Sequence, residues 1–329
     1  MTRSLIVRRE SFPIRGGFRI SRGAKTTAEV VVAEIVDRGN RGRGECVPYR
    51  RYGETVDQVV DALQALQPAV ADGIGREALA ALLPAGAARN ALDCALWDLE
   101  AKQSGKPAWQ LAGLPRPAPA VTAFTLSLDS PLAMAAAASN AGQRPLLKVK
   151  LGGADGDDMA RLAAVRQAAP TARLLVDANE GWTAAQLADY APALAGWNVA
   201  LVEQPLPAGS DDSLRGLACP VPLAADESFH GAADIARLAG LYQLVNVKLD
   251  KTGGLTAALA AVRQAKAAGL GVMIGCMVGS SLAMAPALLL AALAEFIDLD
   301  GPLLLAADRP DGLRYEGSTV YPPAADLWG

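Results

Sequence analysis

The 329-residue chain has a single histidine, His230, and that scarcity removes whole classes of chemistry. A zinc-protease site needs at least two imidazoles, and a serine triad would have to be built around this one ring. Acid and base work must then fall mainly to Lys, Asp and Glu. The four cysteines, Cys46, Cys94, Cys219 and Cys276, show no close paired spacing, which argues against a zinc knuckle or a secreted disulfide framework. Neither sign of charge is in large excess. With a net charge of -3 and Lys and Arg scattered, the basic stripe of a nucleic-acid surface is missing. The apolar run near Ala283 to Ala294 is too short to span a bilayer, and MTRSLIVRRE lacks the apolar core of a signal peptide. The expectation is a cytoplasmic protein with no nucleic-acid and no membrane partner.

What is present is a large core. A 51% hydrophobic content with 20% charged residues describes a globular protein, and 329 residues suit a barrel carrying a small extra domain. Leu5-Ile6-Val7 and Val30 to Val36 read as antiparallel strands, with a turn at Asp37-Arg38-Gly39-Asn40 and a solvated basic hairpin over Arg38 to Arg43. From Thr55 to Gln103 the pattern turns helical, and Ala87 to Lys102 puts Ala91, Ala95, Leu96 and Leu99 on one face. Leu114 to Pro119 reads as a linker. Beyond it, short apolar runs alternate with alanine-rich helical segments, the signature of a parallel sheet or barrel.

Eight strands are expected, near 121–127, 146–151, 173–177, 198–203, 221–225, 243–249, 270–275 and 295–299. That number favours a closed barrel, whose active site is built at the carboxyl tips of its strands. The tips carry Lys148 and Lys150, then Asp177, Glu203, Asp226, Lys248, and Asp298 with Asp300. Residues two apart share a face of a strand, so each Lys or Asp pair can point inward together. Asp177, Glu203 and Asp226 end three consecutive strands and form a hard oxygen site suited to Mg²⁺. Lys150 and Lys248, on the second and sixth strands, should face each other across the mouth. A lysine acts as a base only when neutral, and burial with neighbouring cations is expected to lower its pKa. Taken singly, an acidic strand end is more often a cap, and a lysine among apolar residues more often guards a sheet edge. The ordered set carries the assignment. His230 reads as a loop residue near the mouth, and Gly253-Gly254 as a turn into the next helix.

KVK, VDANE, VEQPLP, ADES, NVKLDKTGG and DLDGP, in this order and spacing, resemble the muconate lactonizing branch of the enolase superfamily, particularly its L-Ala-D/L-Glu dipeptide epimerases. GECVPYRRYGE, LPAGAARNALDCALWDLEAK and IGCM extend the resemblance over essentially the whole chain. It implies an α/β fold, a modified (β/α)7β TIM-like barrel over 116–308, with an α+β capping domain over 1–115 completed by about 309–329. It further implies a Mg²⁺ cofactor on Asp177, Glu203 and Asp226, acid/base lysines Lys150 and Lys248, and Lys148 near the substrate carboxylate. Asp298 and Asp300 match the pair that meets a dipeptide's α-ammonium. Arg22 and Lys25, in a loop closing over the substrate, are candidates for a glutamyl side-chain carboxylate, and Cys276 and Met277 for the pocket wall. The partner expected is a small dipeptide, from cell-wall peptide metabolism, and a homo-oligomer stays open. Val278 to Ser281 depart from many relatives, which carry a glutamate after the seventh strand. Alternatives within the superfamily are o-succinylbenzoate synthase, N-acylamino acid racemase and cycloisomerase; a non-catalytic metabolite-binding barrel is the alternative outside it.

Overall fold

The computed structural model describes residues 3–329. Its first part is a three-stranded antiparallel sheet, β1 (Ser4–Ile20), β2 (Gly23–Asp37) and β3 (Asn40–Cys46), in that order. The β2–β3 turn takes positive φ at both central residues, Arg38 (51°) and Gly39 (84°), as a tight hairpin twisted to match its strands requires. The helix Ala87–Ser104 lies across β3, and glycine permits the approach: a Cβ on Gly44 would sit 2.1 Å from the carbonyl oxygen of Ala91. Sequence periodicity gave this helix one buried face; the structure buries both. Ala91, Ala95, Leu96 and Leu99 pack into the cap core, while Asp93 and Trp97 turn to the barrel and bond to Thr256.

The barrel follows. After β4 (Ala120–Val121) come β5 (Phe124–Leu126), β6 (Leu146–Lys150), β7 (Arg173–Asp177), β8 (Val199–Glu203), β9 (Leu223–Ala225), β10 (Leu244–Val247), β11 (Gly271–Ile274) and β12 (Phe296–Ile297). These last eight form one parallel sheet in unbroken sequential order, each falling inside a stretch where alternating apolar runs place a strand. Ala123, Leu146, Leu175, Leu201, Ala224, Leu244, Met273 and Phe296 form a dry plug inside the barrel, in the manner of layered barrel interiors. Between β12 and β5 no ladder forms. The seam is stapled instead by Ala123 N–H to Ile297 O (2.8 Å), Leu299 N–H to Thr122 Oγ1 (2.8 Å) and Thr125 N–H to Asp300 Oδ2 (2.6 Å).

The C-terminal segment divides its contacts. The hairpin β13 (Tyr315–Glu316) and β14 (Thr319–Val320) pairs with β4, whereas Trp328 Nε1 donates to Cys94 O and Gly329 N to Asp98 Oδ1 on the cap helix. Gly253 and Gly254, with φ of 81° and 108°, do turn the chain into the next helix, and they also let it press on Arg89 and Asp93 of the cap. No helix among the described residues is long and apolar enough to cross a membrane.

Cap and barrel meet at Asp250, on the short helix Leu249–Thr252, whose Oδ1 accepts from Val47 N (3.0 Å) and Asn90 Nδ2 (2.8 Å). Burial pushes this carboxyl up to about 7 despite those donors. The sign follows: the folded state holds its proton from the unfolded value near 3.8 up to about 7, so rising pH across that window costs stability. Asp250→Asn should therefore gain on the native protein by about 2 kcal/mol more at pH 8 than at pH 5 in urea melts. An equal gap at both pH values would show that Asp250 is ionised throughout.

Candidate active site

The strand tips gather four carboxylates and four ammonium groups in alternation. Lys148 and Lys150 share the inner face of β6, and in-register pairing places Lys150 beside Asp177 and Asp177 beside Glu203. Lys150 Nζ lies 2.6 Å from Asp177 Oδ2. Lys148 Nζ lies 2.6 Å from Glu203 Oε2, 2.8 Å from Asp298 Oδ2 and 3.3 Å from Asp177 Oδ2. Across the mouth, Asp226 meets Lys248 at 2.7 Å and Lys251 at 2.6 Å. All eight are under 8% exposed. Isolated charges at that depth would be costly, and here each faces a group of opposite sign.

The pairing sets the proton affinities. Burial resists the charge on Asp177, yet Lys150 and Lys148 hold its carboxyl down at about 2. Burial, reinforced by Asp177, pushes Glu203 up to about 7. For Lys248 burial works downward, but the carboxylates of Asp226 and Glu203 outweigh it and raise the ammonium above its usual range. Burial and neighbouring cations alone point to a depressed lysine; a carboxylate oxygen at 2.7 Å reverses the sign.

Asp298 and Asp300 converge by a different route from the strand alternation that the sequence suggests. β12 ends at Ile297, and Asp300 lies beyond it with φ −92° and ψ 3°, starting the short helix Gly301–Leu304. Its carboxylate is spent on the β5 seam, and burial with Asp298 beside it pushes it up to about 7. Asp298 Oδ1 is a buried acceptor with no hydrogen-bond partner among the described residues. Half-buried Cys276, just after β11, has its thiol pushed up by burial and by Asp298 and Asp300, while Met277 beside it is also half-buried.

The β1–β2 tip closes over the mouth. Arg22 donates to Asn179 O (2.9 Å), Glu180 Oε2 (3.0 Å) and Glu227 Oε1 (2.6 Å), and Arg51 joins it on Glu180. Asn179 and Glu180 hold φ of 45° and 66°, a strained pair that aims both groups at the lid. Arg22 is thus committed to the protein, whereas exposed Lys25 rests 4.9 Å over the Tyr49 ring with no carboxylate partner among the described residues. His230 packs edge-on against Tyr52 at 4.9 Å, with its ring Nε2 3.1 Å from Glu227 O. The small residues at Val278–Ser281 have a reason: Ser280 N and Oγ bond to Glu45 of β3, which Arg309 also holds.

Sequence reasoning passed over Lys251, Asn246, Glu180 and Glu227. All four lie inside motifs that carry the resemblance, Asn246 and Lys251 in NVKLDKTGG, Glu180 in VDANE and Glu227 in ADES, and that was their signal.

Three carboxylates of this kind make a hard donor set. As they stand, no three acidic, thiol or imidazole groups among the described residues gather closely enough to cage a metal, because lysines are interleaved with them. Glu203 Oε2 nonetheless remains a buried acceptor without an aligned donor, although Lys148 is 2.6 Å away. The residues fit a divalent cation that shares the carboxylates with the lysines.

The N-terminal domain of the mandelate racemase / muconate lactonizing enzyme family matches residues 2–113, and the enolase C-terminal domain-like family matches residues 132–324. The chain is 44% identical over 322 residues to the L-Ala-D/L-Glu epimerase of Escherichia coli K12, covering 97% of this chain and 99% of that protein. It is 45% identical over 302 residues to the N-acetyl-D-glutamate racemase of a Pseudoalteromonas species, covering 91% and 95%. An Agrobacterium tumefaciens enolase family member with homology to dipeptide epimerases, solved with sodium and L-Ala-L-Glu, superposes with a TM-score of 0.97 at 51% identity, covering 99% and 100%.

Removing the cation at the centre tests the charge balance. Lys148→Met leaves Asp177, Glu203 and Asp298 facing one another and should cost about 3–5 kcal/mol in metal-free protein. Added Mg²⁺ should then recover more stability in the variant than it adds to the native protein. Thermal melts with and without chelator read both effects; a variant as stable as the native protein in chelator would show that these charges do not confront each other.

Proposed function

Because this chain belongs to the mandelate racemase / muconate lactonizing enzyme family, we propose that it is a Mg²⁺-dependent dipeptide epimerase of the L-Ala-D/L-Glu type. The observation that carries the reading is the placement of two lysines on opposite sides of one carboxylate-lined mouth, Lys150 on β6 and Lys248 just past β10. These strands stand four apart in the eight-strand order.

One lysine takes the proton from the carbon beside the substrate carboxylate, and the other returns a proton to the opposite face. The intermediate enediolate carries an extra negative charge, and Lys148 lies at the carboxylate cluster to stabilise it. Asp177, Glu203 and Asp226 would hold Mg²⁺, which supplies positive charge where the substrate oxygens become more negative. This division of labour is a pattern known for enolase-superfamily sites. Lys248 must give up its proton to serve as base, which requires Asp226 and Glu203 to spend their charge elsewhere than on its ammonium.

Asp298 Oδ1, buried and without a partner, suits a substrate α-ammonium, with Asp300 beside it. Lys25, without a carboxylate partner among the described residues, is available for a glutamyl side-chain carboxylate, and Arg22 latches the lid over it. Dipeptides of this kind come from bacterial cell-wall peptide, and the enzyme would meet them in the cytoplasm. A second reading, racemisation of an N-acylamino acid, is favoured by the N-acetyl-D-glutamate racemase relative. The unpartnered carboxylate oxygen weighs against it, because an acyl group brings no cation.

Free L-Ala-L-Glu should turn over with Mg²⁺ and stop with chelator, and N-acetylation should lower kcat/KM by roughly a hundredfold, since it leaves a buried carboxylate oxygen, Asp298 Oδ1, without a cationic partner. An unchanged kcat/KM would favour the N-acyl reading. In D₂O, Lys150→Ala and Lys248→Ala should both lose epimerisation, yet each should wash deuterium into a different epimer. Both variants labelling the same epimer would refute the two-faced arrangement.

A further inference from the structure

Each of the three carboxylates offered to the metal has one oxygen already tied to the protein wall. Asp177 Oδ1 accepts from Asn179 N at 2.9 Å, Glu203 Oε1 from Asn246 Nδ2 at 2.7 Å, and Asp226 Oδ1 from Lys251 Nζ at 2.6 Å. The other oxygen of each, Asp177 Oδ2, Glu203 Oε2 and Asp226 Oδ2, is the one that meets the lysines of the mouth.

The ties are firm. Lys251 is wholly buried, and its ammonium also donates to the main-chain oxygens of Asp226 (2.5 Å) and Asn246 (3.0 Å). An ammonium has three donors, so all of Lys251's are spent on the barrel wall. Lys248 grips the same carboxylate by a single hydrogen bond, at Oδ2. The two lysines on Asp226 therefore differ in kind: one is fixed to the fold, the other is free to leave. Asn246, fully buried on β10, has only its short side chain to swing.

We infer that Lys251 and Asn246 are positioning residues that make Asp226 and Glu203 one-oxygen metal ligands, as the backbone of Asn179 does for Asp177, and so bias the site toward Mg²⁺ over Ca²⁺. The inference rests on the reading of these carboxylates as metal ligands. Mg²⁺ demands near-octahedral geometry at about 2.0–2.1 Å and takes carboxylates through single oxygens, whereas Ca²⁺ accepts six to eight oxygens at about 2.3–2.6 Å, including two from one carboxylate. With Oδ1 and Oε1 held back, the two-oxygen contacts that favour Ca²⁺ are closed.

The test is the ratio of dissociation constants, Kd for Mg²⁺ over Kd for Ca²⁺, by calorimetry on the native protein and on Lys251→Met and Asn246→Leu. Both ions are divalent, so the charge lost in Lys251→Met cancels in the ratio, and Asn246→Leu changes no charge. Each variant should raise the ratio about tenfold, the lower end of what partners behind metal ligands contribute. Circular dichroism certifies folding; should Lys251→Met fail to fold, Asn246→Leu decides. A ratio unchanged within twofold in a folded variant overturns the inference while leaving the metal site standing. A native protein that binds neither ion overturns the metal site and the inference together.

Discussion

Lysine and carboxylate alternate around the mouth of this barrel, and the rest of the molecule depends on that alternation. Asp177, Glu203, Asp226 and Asp298 are each in contact with Lys148, Lys150, Lys248 or Lys251, so none is buried alone. The arrangement is costly to desolvate and becomes tenable because every group has a partner. Under the proposed function, a carboxylate that exchanged an ammonium for a metal ion would free a lysine to act as a base.

The surrounding structure holds the set in place from three sides. Below, one apolar residue from each strand region, such as Leu175, Leu201 and Met273, fills the barrel and keeps water from the charges. Above, the cap contributes Arg22 and Arg51, which grip Glu180 and Glu227 and bring the β1–β2 tip down on the mouth. At the side, the short eighth strand leaves a seam that Asp300 staples through Thr125. Cap and barrel share buried polar contacts at Asp250 and at Glu45–Ser280–Arg309, so lid position and barrel geometry are mechanically linked.

Within the site, carboxylate oxygens are divided between two tasks. One oxygen each of Asp177, Glu203 and Asp226 faces inward to a tethered donor, and the other faces the mouth. That division distinguishes Lys251 from Lys248, which lie three residues apart and touch the same aspartate: Lys251 holds it by two hydrogen bonds and the Asn246 carbonyl by a third, Lys248 holds it by one.

The positions of the eight strands, the two lysines of β6 and the acids at the next three tips were legible from sequence, because a strand exposes alternate residues to one face and a barrel exposes its tips. Local rules failed where the chain left regular structure. Asp300 lies beyond a two-residue strand, at the start of a short helix, so strand alternation does not describe its placement. The helix Ala87–Ser104 carries polar groups on its second face because that face meets the barrel, which periodicity within the helix does not report. Arg22, a candidate by resemblance for a substrate carboxylate, bonds to Glu227 and Glu180, and small residues after β11 are paired with Glu45 from a strand more than two hundred residues earlier. The sequence by itself determined which chemical groups line the mouth; only the tertiary structure decided which oxygen meets which nitrogen, since those pairings join residues distant in the chain and their energies turn on separations of a few tenths of an ångström.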